Sequence, residues 1–244
     1  VDEPGSSSEM RSALANLYLA HSFLERVAGR FVAAETLARQ SLGLFKSVAN
    51  DHGVASVLTS LTNIQRFLGV YDEALKSSSQ AAALFKKSGF TRAEATAWSI
   101  HGWTLLEADK AIDARRVFAT TLRLYGDSMS WADQVSICAG DALAAHRLGQ
   151  ASEATDLAES CLAQAEEGKS KQVRGWAYYA AGIVLGRNDL LLDSAAIWRE
   201  MGYPGWLMYT LSALVRVNET DSSPAYEAEL SALKSRLFSE KGNG

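Results

Sequence analysis

Read in steps of 40 residues, this chain aligns with itself. Gly29, Gly69, Asp109 and Gly149 lie 40 apart, and two positions later stand Phe31, Tyr71, Ala111 and Ala151. Ala34, Ala74, Ala114 and Ala154 keep the same beat, as do Ser41, Ala81, Thr121 and Cys161, and Leu44, Leu84 and Leu124. A period in this range predicts stacked helix pairs, because one pair alone cannot bury its apolar face. The expectation is an all-α, right-handed α-solenoid of about six antiparallel helix pairs.

Each repeat splits into two amphipathic stretches around a short turn. In the second repeat, Val57, Leu58, Leu61, Ile64 and Leu68 follow helical spacing, and Gly69 ends the stretch. Glycine takes a left-handed C-terminal cap without a Cβ penalty. Asp72 and Glu73 open the next helix, where negative charge suits the dipole. Ala74, Leu75, Ala81, Leu84 and Phe85 form its inner face, Lys86 and Lys87 its last turn, and Gly89 its end. The alanine at 34, 74, 114 and 154 permits close approach of two helices. Phe31 and Tyr71 fill the gap between repeats; Ala111 and Ala151 replace them in the third and fourth repeats, and Phe118 and Trp103 are the candidate substitutes in the third.

Composition agrees with a helical core. The chain has 244 residues, 48% hydrophobic and 21% charged, which suffices for one repeat array. Its three prolines, Pro4, Pro204 and Pro224, leave the long middle free of helix breakers. Net charge is -4 and no basic stripe occurs, so no direct nucleic-acid partner is expected. No apolar run reaches 18 residues and no secretory signal is visible, so no membrane role is expected. Cys138 and Cys161 read as reduced core thiols, predicting a cytoplasmic location. The chain opens on Val1 rather than Met, which predicts a piece of something longer or a processed product. Residues 1–9 read as a disordered lead-in, 10–168 as four 40-residue repeats, and 169–244 as irregular fifth and sixth helix pairs.

After 168 the register slips. Residues 176–185 form a first helix and 190–201 a shortened second one, closed by Gly202-Tyr203-Pro204-Gly205. Neither Gly186 nor Asp189 settles at the turn position. The last pair spans 206–217 and 224–238, with Ser222 or Ser223 as cap and Pro224 in the first turn. The exposed end predicts a homodimer through the C-terminal helices.

The pattern Leu61, Gly69-Val70-Tyr71-Asp72-Glu73-Ala74-Leu75, Ala81, with Trp98 and Gly102 in the third repeat, resembles the tetratricopeptide (TPR) family over about residues 11–168. The family repeat is shorter, usually 34 residues. Such long repeats resemble those of large bacterial multidomain signalling regulators, such as maltose-type activators, and those of kinesin light chains. The resemblance implies that first helices line a concave groove through positions 5, 9, 12 and 13. These are Leu19, Phe23, Arg26 and Val27, then Thr59, Asn63, Arg66 and Phe67. They continue with Ser99, Trp103, Leu106 and Glu107, then Ala139, Leu143, His146 and Arg147, and Tyr179, Ile183 and Arg187 in the fifth repeat. The implied groove residues for a peptide or protein segment are Asn63, Arg66, Phe67, Trp103, His146 and Arg147. Position 5 carries no lysine, so the family's clamp for chaperone tails is missing.

No catalytic motif is present: no phosphate loop, GxGxxG, HExxH or GxSxG. No enzyme activity, metal or cofactor is expected. His21 and His101 share a repeat position but lie two repeats apart, too far for one ion. The dense aromatics Trp176, Tyr178, Tyr179, Trp198, Tyr203, Trp206 and Tyr209 read as core, with a ligand pocket as the other reading. For the whole chain the second reading is a regulator's sensor arm, taking a small effector or holding a switch domain.

Overall fold

The computed structural model describes residues 4–217 and 224–238, with side chains from residue 7. Among them are twelve α-helices, one short 3-10 turn and no strand. The chain divides into an N-terminal body, Val1–Ala108, and a C-terminal body, Asp109–Gly244. That division falls within the third repeat, not at residue 168 where the period changes.

The N-terminal body holds α1 (Pro4–Val27), α2 (Phe31–Ser47), α3 (Asp51–Phe67), α4 (Tyr71–Lys87) and α5 (Thr91–Glu107). Helix α1 begins at Pro4, inside the stretch read as a lead-in; Val1–Glu3 lie outside the described residues. Helices α2 to α5 are each 17 residues long. Consecutive helices pack together, and the first helices of successive pairs, α1, α3 and α5, also touch.

The 40-residue beat has a backbone cause. Gly29, Gly69, Asp109 and Gly149 all take positive φ, between 60° and 82°. A second left-handed set closes the second helices at Ala49 (φ 52°) and Gly89 (φ 73°). Asp109 and Ala49 adopt this geometry with a Cβ, which costs about 1–2 kcal/mol relative to glycine. Asn50 begins α3 by accepting the Gly53 amide at 2.8 Å.

Close packing explains the small residues. Ala34, Ala74, Ala114 and Ala154 are fully buried. Where helices approach this closely, side-chain donors reach the facing backbone. The Ser22 hydroxyl donates to the Ala34 carbonyl at 2.7 Å, and Ser41 to Ala15 at 2.7 Å. Three repeats on, the Cys161 thiol faces the Val135 carbonyl at 3.8 Å. Cys161 thus occupies the position of Ser41, with sulfur in place of the hydroxyl. Phe31, expected to fill the gap between repeats, stacks on Phe67 at 5.1 Å. Phe118 and Trp103 are buried too.

The C-terminal body holds α6 (Ala111–Tyr125), the turn Gly126–Ser128, α7 (Trp131–Arg147), α8 (Ala151–Glu167), α9 (Lys171–Val184), α10 (Asn188–Met201), α11 (Pro204–Val217) and α12 (Pro224–Phe238). Helices α9, α10 and α11 have 14 residues against 17 in α7 and α8. The missing residues explain the slip in register. Gly186 takes the turn position with φ 64°, and Asp189 falls in the first turn of α10. The Ser222 and Ser223 caps lie outside the described residues.

Indoles fill this body's core. Trp198 is fully buried, stacks on Trp206 at 5.7 Å and meets Tyr203 at 6.1 Å. Trp206 also contacts Trp176, Tyr179 and Tyr209. Glycine makes room: a Cβ on Gly175 would come within 2.5 Å of the Trp198 ring. Arg115 of α6 ties α6, α7 and α8 together, binding Asp141 of α7 at 2.9 Å and Glu153 of α8 at 2.6 Å.

Candidate partner-binding clefts

Touching first helices form one wall in each body, and each wall carries a cavity. In the N-terminal body a cleft of about 440 Å³ lies between α1 and α3. Asn16, Leu19, Ala20, Phe23 and Arg26 line one side, and Ser56, Thr59, Ser60 and Asn63 the other. Groove positions 5 and 9 of both repeats face this space. Phe23 is 46% exposed, and the Arg26 guanidinium sits 5.0 Å over its ring. Asn63 donates to the Thr59 carbonyl at 3.3 Å, which fixes its amide on the cleft wall. The surface combines an apolar ring, a stacked cation, hydroxyls and an amide.

In the C-terminal body a smaller cavity of about 190 Å³ sits among α7, α9 and α11. Leu143, His146 and Arg147 come from α7, Tyr179 and Ile183 from α9, and Ala213, Arg216 and Val217 from α11. His146 and Arg147 are exposed. Arg147 lies 3.8 Å from Asp109, an exposed and long-range pair that binds it weakly.

The remaining predicted site residues sit elsewhere. Arg66 is 3% exposed and pairs with Glu107 at 3.2 Å, bridging α3 and α5. Phe67 is buried against Phe31, and Trp103 is 4% exposed. All three are buried. Asn63 lines the larger cleft, and His146 and Arg147 the smaller one. Asn16, Ala20, Ser56, Ser60, Ala213, Arg216 and Val217 line these clefts outside the groove positions read from the repeats. The first four lie one residue or one turn from a groove position. The last three belong to α11, for which no repeat register was readable.

Other titratable groups have structural partners. His101 Nδ1 is 2.8 Å from the Ser78 hydroxyl, and burial pushes its pKa below the ordinary histidine value. A hydrogen bond with Cys138 and then burial push the Cys161 thiol up, away from thiolate chemistry. Both cysteines are unbridged. Among the described residues no three His, Cys, Asp or Glu groups are placed to hold a metal, and no helix is long and apolar enough to cross a membrane.

Paired helices, left-handed turns at a fixed beat and touching first helices define an all-α solenoid of the tetratricopeptide type. Three solved structures show the same fold. The Rap protein complexed with Competence and Sporulation Factor matches at TM-score 0.80 and 11% identity, over 98% of this chain and 67% of that one. A kinesin light chain from Podosopora anserina, with nearly identical TPR-like repeats, matches at TM-score 0.56 and 16% identity, over 78% and 97%. PilF of Pseudomonas aeruginosa matches at TM-score 0.54 and 13% identity, over 93% of each chain. No protein-family profile and no curated protein matches the sequence.

Proposed function

We propose that this chain is a non-catalytic scaffold that holds a peptide or protein segment on its first helices. The observation that carries the reading is the cleft between α1 and α3. It presents an apolar ring at Phe23, a cation at Arg26 and an amide at Asn63 within one open space. Aromatic and arginine side chains are the usual anchors of an interface. An asparagine amide matches the paired donor and acceptor of an extended main chain. The Rap structure, solved with its factor bound, supports a solenoid of this kind as a carrier of partners. The reading includes a cytoplasmic location, supported by two buried, unbridged thiols.

The test is selection of peptides from a displayed random library against the intact chain, with affinities measured by calorimetry. Selected peptides should lose about tenfold or more in affinity to Asn63→Ala and to Phe23→Ala, while both variants keep the parent melting temperature. A library that yields no binder, or binders indifferent to both changes, ends the reading.

A further inference from the structure

We propose that Cys138 and Cys161 form a redox-sensitive site that closes to a disulfide between α7 and α8 when a hydroperoxide reaches it. The inference goes beyond the partner-binding reading and uses none of the cleft residues.

The chain has 2 cysteines in 244 residues, and both fall in one repeat at facing registers. The register of Cys161 carries Ser41, Ala81 and Thr121 in the other repeats, and that of Cys138 carries Tyr18, Leu58 and Trp98. Each sulfur reaches the other's helix. The Cys138 thiol donates to the Leu157 carbonyl at 3.3 Å, and in α8 that carbonyl is the helical acceptor of the Cys161 amide. Cys161 Sγ lies 3.8 Å from the carbonyl of Val135, which precedes Cys138 by one turn on α7. Both thiols therefore sit in the same α7–α8 crossing, where a hydrogen bond joins them. Neither is bridged.

The surroundings divide the roles. Cys138 keeps 8% of its surface open and Cys161 none, so a small oxidant meets Cys138 first. The hydrogen bond from Cys161 holds the Cys138 pKa below its ordinary value, against burial and the charge of Asp141, and the Ser160 hydroxyl adds to it. Cys138 is thus the attacking thiolate, while Cys161 keeps its proton. The thiolate attacks one peroxide oxygen, the O–O bond breaks, and the departing alkoxide or hydroxide takes up a proton. The Cys161 sulfur then attacks the sulfenic sulfur of Cys138. An S–S bond forms, the S–O bond breaks, and hydroxide leaves with the Cys161 proton as water. Two electrons pass from the thiol pair to the peroxide. In a reducing compartment such a bridge is transient, a signal rather than a staple.

The test treats the intact, reduced chain with hydrogen peroxide, removes the excess with catalase, and reads intact mass and the thiols that alkylate after denaturation. Peroxide should remove two hydrogens, a loss of about 2 Da, together with both free thiols, and dithiothreitol should restore them. Peptide mapping should join the Cys138 and Cys161 peptides. Cys161→Ser should stop at a sulfenic acid on Cys138, trapped by dimedone. Cys138→Ser should slow oxidation of the remaining thiol about tenfold or more. Serine stands at the Cys161 register as Ser41, so the crossing accepts that change. Melting curves check both variants, and Cys138→Ala repeats the measurement if the serine lowers the melting temperature. A bridge between two chains overturns the proposal. So does oxygen added to either cysteine of the parent chain without a bridge, or thiols that survive peroxide able to oxidise free cysteine. A Cys138→Ser variant that oxidises as fast as the parent overturns it too.

Discussion

The N-terminal body and the C-terminal body solve the same packing problem with different materials. The first repeats one steric recipe: 17-residue helices, a left-handed turn every 40 residues, and an alanine where helices cross. The second keeps the turn and the alanine through α8, with α6 at 15 residues, then shortens α9, α10 and α11 to 14 residues and packs indoles between them. Periodic packing spreads stability over many small contacts. Aromatic packing concentrates it in a few large ones. The same split appears in the clefts, one wide and rich in hydroxyls, the other small, with two arginines and a histidine in its lining.

Five changes would break or sharpen that contrast. Trp198→Ala removes the largest fully buried side chain and should cost about 3–5 kcal/mol, read as a fall in the urea midpoint. In the periodic body the counterpart is overpacking. Ala34→Leu should cost about 1–3 kcal/mol, because the crossing has no space for a branched side chain. If Ala34→Leu proved the more damaging, the contrast between concentrated and distributed packing would be lost.

A smaller effect concerns pH. Burial lowers the His101 pKa in the folded state, so the unfolded chain takes up its proton first as pH falls. Stability should be full above the unfolded value of 6.5 and decline as pH drops below it. His101→Gln should flatten that part of the curve, measured by urea unfolding on either side of 6.5. The smallest effect is at the turns. Asp109→Gly and Ala49→Gly should each raise stability by up to about 1 kcal/mol, since both residues hold a conformation suited to glycine. A gain at neither site would mean that their neighbours already relieve the strain.

These elements differ in how far the sequence announces them. Gly69 and Ala74 were readable because a left-handed turn and a close crossing each demand one residue type at one place. Sidedness was less accessible. Arg66 and Phe67 follow the groove pattern, yet both are buried, because that face of α3 meets α5 and α2 before it meets solvent. Trp103 is likewise covered. Phe23, at the first repeat's equivalent of Asn63, stays half-exposed. Arg216 went unseen for another reason. The shift from 17 to 14 residues erases the register that would have numbered α11.

The Arg66–Glu107 bridge has a consequence for how the N-terminal body assembles. Its two charges come from neighbouring pairs, and each helps offset the cost of burying the other. A free α3–α4 hairpin would lose both the Glu107 carboxylate and the α5 surface that covers this face of α3. The repeats are therefore not interchangeable beads on a string. Loss of either charge alone should be worse than exchanging both for oily side chains of similar bulk, so here neighbouring repeats must live or unravel together.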